Sequence, residues 1–227
     1  MKRFSLAPLA LVALFGASSS SIAHAGASDS PPADLLSSAE ADTATLDRVF
    51  ASFRSVQNFE ASFHEEKKLT LLAKPLRSEG VVYFERTRGL ARHTKAPKPQ
   101  KVLLTESTLK VWNGTTTEDV KLDQSRELSA LALSFPRVLR GDRAGLANTF
   151  TLKLQGTDSG FWALTLVPKD ASLLRMLNTI TVVGERDGVR SITVVESNGD
   201  KSTTTFTDVR KNVTKPAADV EALFRLP

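Results

Sequence analysis

Apolar and polar positions along the chain change period several times, and each change marks a new element. Leu46, Val49, Phe50 and Phe53 fall at i, i+3, i+4 and i+7, the stripe of an amphipathic helix, and Ser37 with Glu40 three residues on reads as its capping box. Phe59, Ala61 and Phe63 then alternate with Glu60, Ser62 and His64, the period of a strand with one buried and one wet face. Glu65-Glu66 beside Lys67-Lys68 reads as the solvated end of that strand, and Lys74-Pro75 breaks the run. A hairpin follows from Gly80 to His93, pausing at Gly89, with Val82, Phe84 and Arg86 on one face and Val81, Tyr83 and Glu85 on the other.

Further strands are expected over Val102 to Thr105, Leu109 to Asn113 and Thr115 to Val120, the last two joined by a type I′ turn at Asn113-Gly114. Between Leu122 and Phe150 the period becomes helical, with Leu128, Leu131, Ala132 and Phe135 on one stripe. Pro136 is expected to interrupt that helix, with one more turn over Arg137 to Arg140 ending at Gly141. Strands resume with Phe150 to Gln155 and Phe161 to Val167, the second apolar enough for burial on both faces. A meander follows over Thr179 to Gly184, Val189 to Glu196 and Lys201 to Val209, with two-residue turn signals at Asp187-Gly188 and Asn198-Gly199. The fold class is therefore mainly β (α+β). Ten or eleven strands in meander order are too many for one flat sheet, so the sheet curls into a barrel or part of one, with a leading helix and a helical insertion laid over it as a flap.

The N-terminus changes the picture of where this domain works. Met1-Lys2-Arg3 is basic, Phe4 to Ala17 is mostly apolar, and Ala23-His24-Ala25 has the small-x-small form of a secretory cleavage site, so residues 1–25 read as a signal peptide. Residues 26–36 read as a flexible leader through Pro31-Pro32, and 37–227 as one domain. The expectation is an exported, soluble, monomeric periplasmic protein. There are no cysteines, which excludes disulfides, thiolate metal sites, a cysteine nucleophile and a lipid-modified cysteine anchor.

The 30 basic residues, less Lys2 and Arg3, leave 28 against 25 acidic ones, too small an excess to argue for nucleic acid. Arg86, Arg88, Arg92, Lys95, Lys98 and Lys101 run without an intervening acid; they read as a solvated hairpin edge or as a docking patch for an anionic membrane surface or acidic partner. After residue 25 only His64 and His93 remain as histidines, with no metal-ligand spacing near them. No nucleophile elbow, phosphate loop or dinucleotide fingerprint occurs. No metal or cofactor is expected, and an enzyme is disfavoured. A curled sheet under a helix has an interior that is either filled by side chains or open to an apolar ligand. On the residues alone Trp112, Trp162 and Phe135 fit either case, and Arg86 reads most simply as one half of a cross-strand ion pair.

The order and spacing of several segments resemble the periplasmic outer-membrane lipoprotein carrier family. They are the leading helix followed by Asn58-Phe59-Glu60-Ala61-Ser62-Phe63, then Gly80-Val81-Val82-Tyr83-Phe84-Glu85-Arg86, then Leu109-Lys110-Val111-Trp112-Asn113, the Asp187-Gly188 hairpin and the closing Phe224-Arg225-Leu226-Pro227. The resemblance implies an unclosed antiparallel barrel with a helical lid over an apolar cavity for acyl chains. Cavity candidates are then Phe59, Phe63, Val82, Phe84, Trp112, Leu128, Leu131 and Phe135. It also implies that Arg86 latches the lid, although Thr87 stands where the family usually has proline. The implied role is a soluble carrier that shields acyl chains of a lipoprotein or lipid between an inner-membrane donor transporter and an outer-membrane acceptor. A periplasmic regulator of the same architecture, sensing a lipid or protein, is the alternative.

Overall fold

The structure is a computed structural model and describes residues 34–37, 39–156 and 160–227. The signal peptide and most of the leader read from the sequence lie outside the described residues.

One sheet contains all eleven strands: β1 (Asn58–Lys68), β2 (Leu76–Glu85), β3 (Gly89–Ala96), β4 (Gln100–Leu104), β5 (Thr108–Trp112), β6 (Thr117–Lys121), β7 (Phe150–Gly156), β8 (Phe161–Pro168), β9 (Leu177–Glu185), β10 (Gly188–Glu196) and β11 (Lys201–Lys211). Their order is β6-β5-β4-β3-β2-β1-β11-β10-β9-β8-β7, so the first and last strands meet in the middle, and β6 and β7 are left as the two edges. The connection between those edges carries the helices α2 (Arg126–Arg140) and α3 (Arg143–Ala147), and α2 packs on the concave side together with α1 (Thr43–Arg54). The unclosed barrel is thus covered by the one segment that must cross from edge to edge. α4 (Ala171–Leu174) is a single turn between β8 and β9, and α5 (Ala217–Leu223) ends the chain on the convex side.

Local chemistry explains most boundaries and corrects several expectations. α1 begins at Thr43 because the Asp42 carboxylate accepts from the Thr45 amide at 2.7 Å. Ser37 instead closes a 3-10 turn (Leu35–Ser37), donating to Asp34 O, and Glu40 bridges to Gln155 of β7. Leu35, at the end of the leader, is buried on the convex face against Ala163 and Val183, which explains why β8 is covered on both sides at that point.

Pro136 does not break α2. The helix runs through it to Arg140, with nine buried residues that include Pro136 itself, and packing of that stripe outweighs one lost backbone bond. It ends at Gly141, whose φ of 67° is left-handed, and a Cβ there would lie 2.5 Å from Phe50 O, because the C-terminal turns of α1 and α2 cross at that residue.

Two hairpin turns also differ. The β5–β6 loop is four residues long, with the side-chain Oδ1 of Asn113 accepting from the Thr115 and Thr116 amides. The β9–β10 turn is Arg186-Asp187, one residue earlier than the Asp187-Gly188 signal, and Arg186 takes the positive φ.

The basic run from Arg86 to Lys101 does not form a free hairpin edge. β3 is bonded on both sides, to β2 and β4, and Arg92 is buried.

The chain's last elements lie across the convex face of β2 to β5. His93 Nε2 is 2.8 Å from Leu223 O, and Ala91 and Leu103 are buried on that face. Burial pushes the His93 pKa below the ordinary histidine value; the bond to Leu223 O opposes this and Lys101 and Lys95 reinforce it. The neutral ring is therefore favoured in the folded state. Its stabilising contribution is fully present above the unfolded value of about 6.5 and is lost as pH falls from there toward the depressed folded value. Melting curves between about pH 7.5 and 5 should show the wild type losing stability relative to His93→Gln as the solution is acidified. Parallel pH profiles would contradict this.

Candidate functional site

Alternation places one row of each strand on the concave side, and on β1 that row changes character along its length. Phe59, Ala61 and Phe63 are followed on the same face by Glu65 and Lys67, all five buried. The Phe59 end lies beneath the C-termini of α1 and α2, and the Glu65 end is the opposite rim of the barrel.

Between α2 and the sheet lies a small apolar cavity of about 60 Å³, lined from the helix by Leu131, Ala132, Ser134, Phe135 and Pro136. Phe63, Val82, Leu90, Leu104, Ile180, Ile192, Val194 and Phe206 face it from the strands. Phe135 reaches the sheet from the helix side. Its ring stacks on Phe206 at 5.5 Å and meets Phe59 edge-on at 6.3 Å. A site for a ligand of ordinary size needs roughly 300–1,000 Å³, so the cavity as it stands is smaller than such a ligand.

Of the cavity candidates read from the sequence, Phe63, Val82, Leu131 and Phe135 line it. Phe59, Phe84 and Leu128 belong to the surrounding core. Trp112 does not belong to the site. Leu109 and Val111 face the core, and Trp112 lies on the other face, paired in register with Lys101 and Thr117 and half-buried. The run Leu109 to Trp112 has apolar residues on both faces, and that pattern could not tell them apart.

Arg86 stands just past β2. Its Nε donates to Val56 O at 2.9 Å and its Nη2 to Arg54 O and Phe53 O at 3.0 and 3.1 Å, closing the C-terminal turn of α1. The same guanidinium reaches Arg140 O, the last carbonyl of α2, at 3.4 Å, and Arg140 returns a bond to Arg86 O at 3.4 Å. Arg140 also pairs with Glu106 and lies over the Phe84 ring at 5.4 Å. A cation at two helix C-termini meets the negative ends of both dipoles and their orphan carbonyls. Arg86 therefore joins both helices to the sheet, with its shorter bonds to α1 and its exit, and among the described residues it forms no cross-strand ion pair. The resemblance pointed to the lid; the role at α1 was not legible.

The opposite rim holds the residues that sequence reasoning missed. Glu65 is buried, not solvated: its Oε2 accepts from Arg92 Nη2 at 2.6 Å and from Ser78 Oγ at 2.9 Å, and its Oε1 from Ser202 Oγ at 2.6 Å. Lys67, equally buried, pairs with Glu196 at 3.1 Å. The Arg92 guanidinium lies 4.1 Å above the Phe63 ring and faces the cavity. A signal existed: the period of two that puts Phe59, Ala61 and Phe63 inside continues unbroken through Glu65 and Lys67. Among the described residues no group of three or more His, Asp or Glu could hold a metal ion, and no helix is long and apolar enough to cross a membrane.

An open antiparallel barrel with an edge-to-edge helical lid over a small apolar cavity defines a class of fold. A family model described as outer membrane lipoprotein carrier protein LolA-like matches residues 38–226, and the chain belongs to that family. Among solved structures it is similar to a LolA superfamily protein from Nitrosomonas europaea (14% identity, covering 82% of this chain and 99% of that one, TM-score 0.45). It is also similar to a DUF1329 family protein from Desulfovibrio piger (11%, 80% and 95%, TM-score 0.46) and to a chain in the MucA/MucB complex of Pseudomonas aeruginosa (14%, 77% and 58%, TM-score 0.44). No curated protein matches the chain.

Proposed function

We propose that this protein is a soluble periplasmic carrier. It shields the acyl chains of a lipoprotein or related lipid, receiving them from an inner-membrane donor and passing them to an outer-membrane acceptor. One observation supports this most: the stripe of α2 that covers the barrel also lines the cavity, with Phe135 packed against both Phe59 and Phe206 in one cluster of three rings. Each methylene withdrawn from water is worth about 0.8 kcal/mol. An acyl chain of ordinary length thus brings enough burial to replace the contacts of Leu131 and Phe135 as the helix lifts. Opening on binding and closing on release would then be alternative ways of filling one space. The family is described as a carrier family, and the read signal peptide supports the compartment.

The test is a melting curve with and without a triacylated lipopeptide. A ligand at a hundredfold excess over its dissociation constant stabilises by about 2.7 kcal/mol, so the acylated peptide should raise the melting temperature and its deacylated form should not. Equal shifts, or none, would mean a permanently filled core.

A further inference from the structure

The cavity is lined by apolar residues except for Ser134 of α2, whose hydroxyl donates to Leu131 O, and for the rim that carries Glu65. There it is faced by Arg92 and by Thr204, which sits opposite Glu65 in the β1–β11 register and opposite Ile192 in the β10–β11 register. Thr204 is 5% exposed, and its Oγ1 has no hydrogen-bond partner among the described residues. An isosteric valine would fill the same volume without burying an unpaired hydroxyl. Glu65, opposite it, accepts from Arg92, Ser78 and Ser202 and makes no bond to Thr204. The Arg92 guanidinium, held by Glu65 and by the Phe63 ring, brings a fixed positive group to the same wall.

We propose that Thr204 and Arg92 form a polar subsite for the oxygen atoms of an acyl group. The carboxylate or ester carbonyl of the ligand accepts from Thr204 Oγ1–H and lies against the Arg92 guanidinium, while its chain takes the apolar wall. This rests on the acyl-binding reading above and deepens it: the ligand class is an acyl amphiphile with an acceptor oxygen, held at both ends, and a plain hydrocarbon fits only half the site. The geometry also orients the ligand: Arg92 and Thr204 face the cavity from this rim, opposite the Arg86 junction, whereas the hydroxyl of Ser134 on the helix side already donates to Leu131 O.

The experiment is displacement of a fluorescent acyl probe from the full mature chain by hexadecanoic acid, methyl hexadecanoate and hexadecane, on wild type and Thr204→Val. Each compound is read as the ratio of variant to wild type, so that differences in water solubility cancel. Thr204→Val should fold with undiminished melting temperature, weaken the acid or the ester by roughly three- to tenfold, and leave hexadecane unchanged. Loss for the acid alone identifies a carboxylate; loss for both identifies the shared carbonyl oxygen. If all three compounds keep their wild-type affinity in the variant, or all weaken equally, the subsite is wrong while the acyl cavity stands. If neither the probe nor any compound binds wild type, the acyl reading falls and the subsite falls with it.

Discussion

Arg92→Leu is expected to cost about 3–5 kcal/mol of stability, because it strands the Glu65 carboxylate in the interior without its counter-charge. The side chains of Arg92 and Glu65 are 6% and 1% exposed, so solvent cannot take over the lost interaction. Glu65→Leu should be comparably damaging, since it leaves the guanidinium and the Ser78 and Ser202 hydroxyls without their shared acceptor. The double variant Glu65→Leu/Arg92→Leu should recover the part of the loss that comes from an unpaired buried charge, because a buried pair replaced as a whole by apolar groups is often neutral or better, and keep the part that comes from the Ser78 and Ser202 hydroxyls. Chemical denaturation of the four proteins in a double-mutant cycle measures the coupling. Single variants each within 1 kcal/mol of wild type would place this pair among ordinary surface ion pairs and contradict its burial.

Arg86→Leu is expected to lose about 2–4 kcal/mol, since two bonds to α1 carbonyls, one to Val56 O just past the helix and the longer ones to Arg140 O go together, and hydrogen bonds to charged groups are worth roughly 1.5–3 kcal/mol each before solvent screening of this half-buried site. The carbonyls of Arg54, Val56 and Arg140 would then have to find water, while Phe53 O keeps the Val56 amide. On the proposed carrier reading, in which α2 lifts to admit an acyl chain, losing the contacts to Arg140 O loosens the covered state, so the variant should bind an acyl probe at least as tightly as wild type. Its transfer to acceptor vesicles should be slower, because closure contributes less to expelling cargo. Arg86→Lys keeps the charge but not the planar fork that reaches Val56, Arg54 and Phe53 at once, so it should resemble Arg86→Leu. Affinity and transfer rates unchanged in both variants would reduce Arg86 to a structural cap of α1.

The sequence by itself determined the strand series, the leading stripe of Leu46, Val49, Phe50 and Phe53, and the helical insertion after Leu122, because each rests on a period that the backbone geometry enforces. It also determined that Phe63, Val82, Leu131 and Phe135 are apolar residues of inward faces. Only the tertiary structure decided which groups those faces meet. Pro136 stays inside a helix because the packed stripe on either side of it outweighs a local preference, and Trp112 turns outward because Leu109 and Val111 occupy the inward positions of β5. Glu65, Lys67 and Arg92 looked solvated because charge is usually a sign of exposure. Their burial depends on partners 13 to 137 residues away in the chain, Ser78 and Ser202 for Glu65, and on Glu196 for Lys67. Arg86 likewise read as a strand-end cation until the fold brought two helix C-termini to it. Periodicity fixes which face a side chain takes, whereas the cost of placing a charge on that face is settled by contacts between segments that no local pattern encodes.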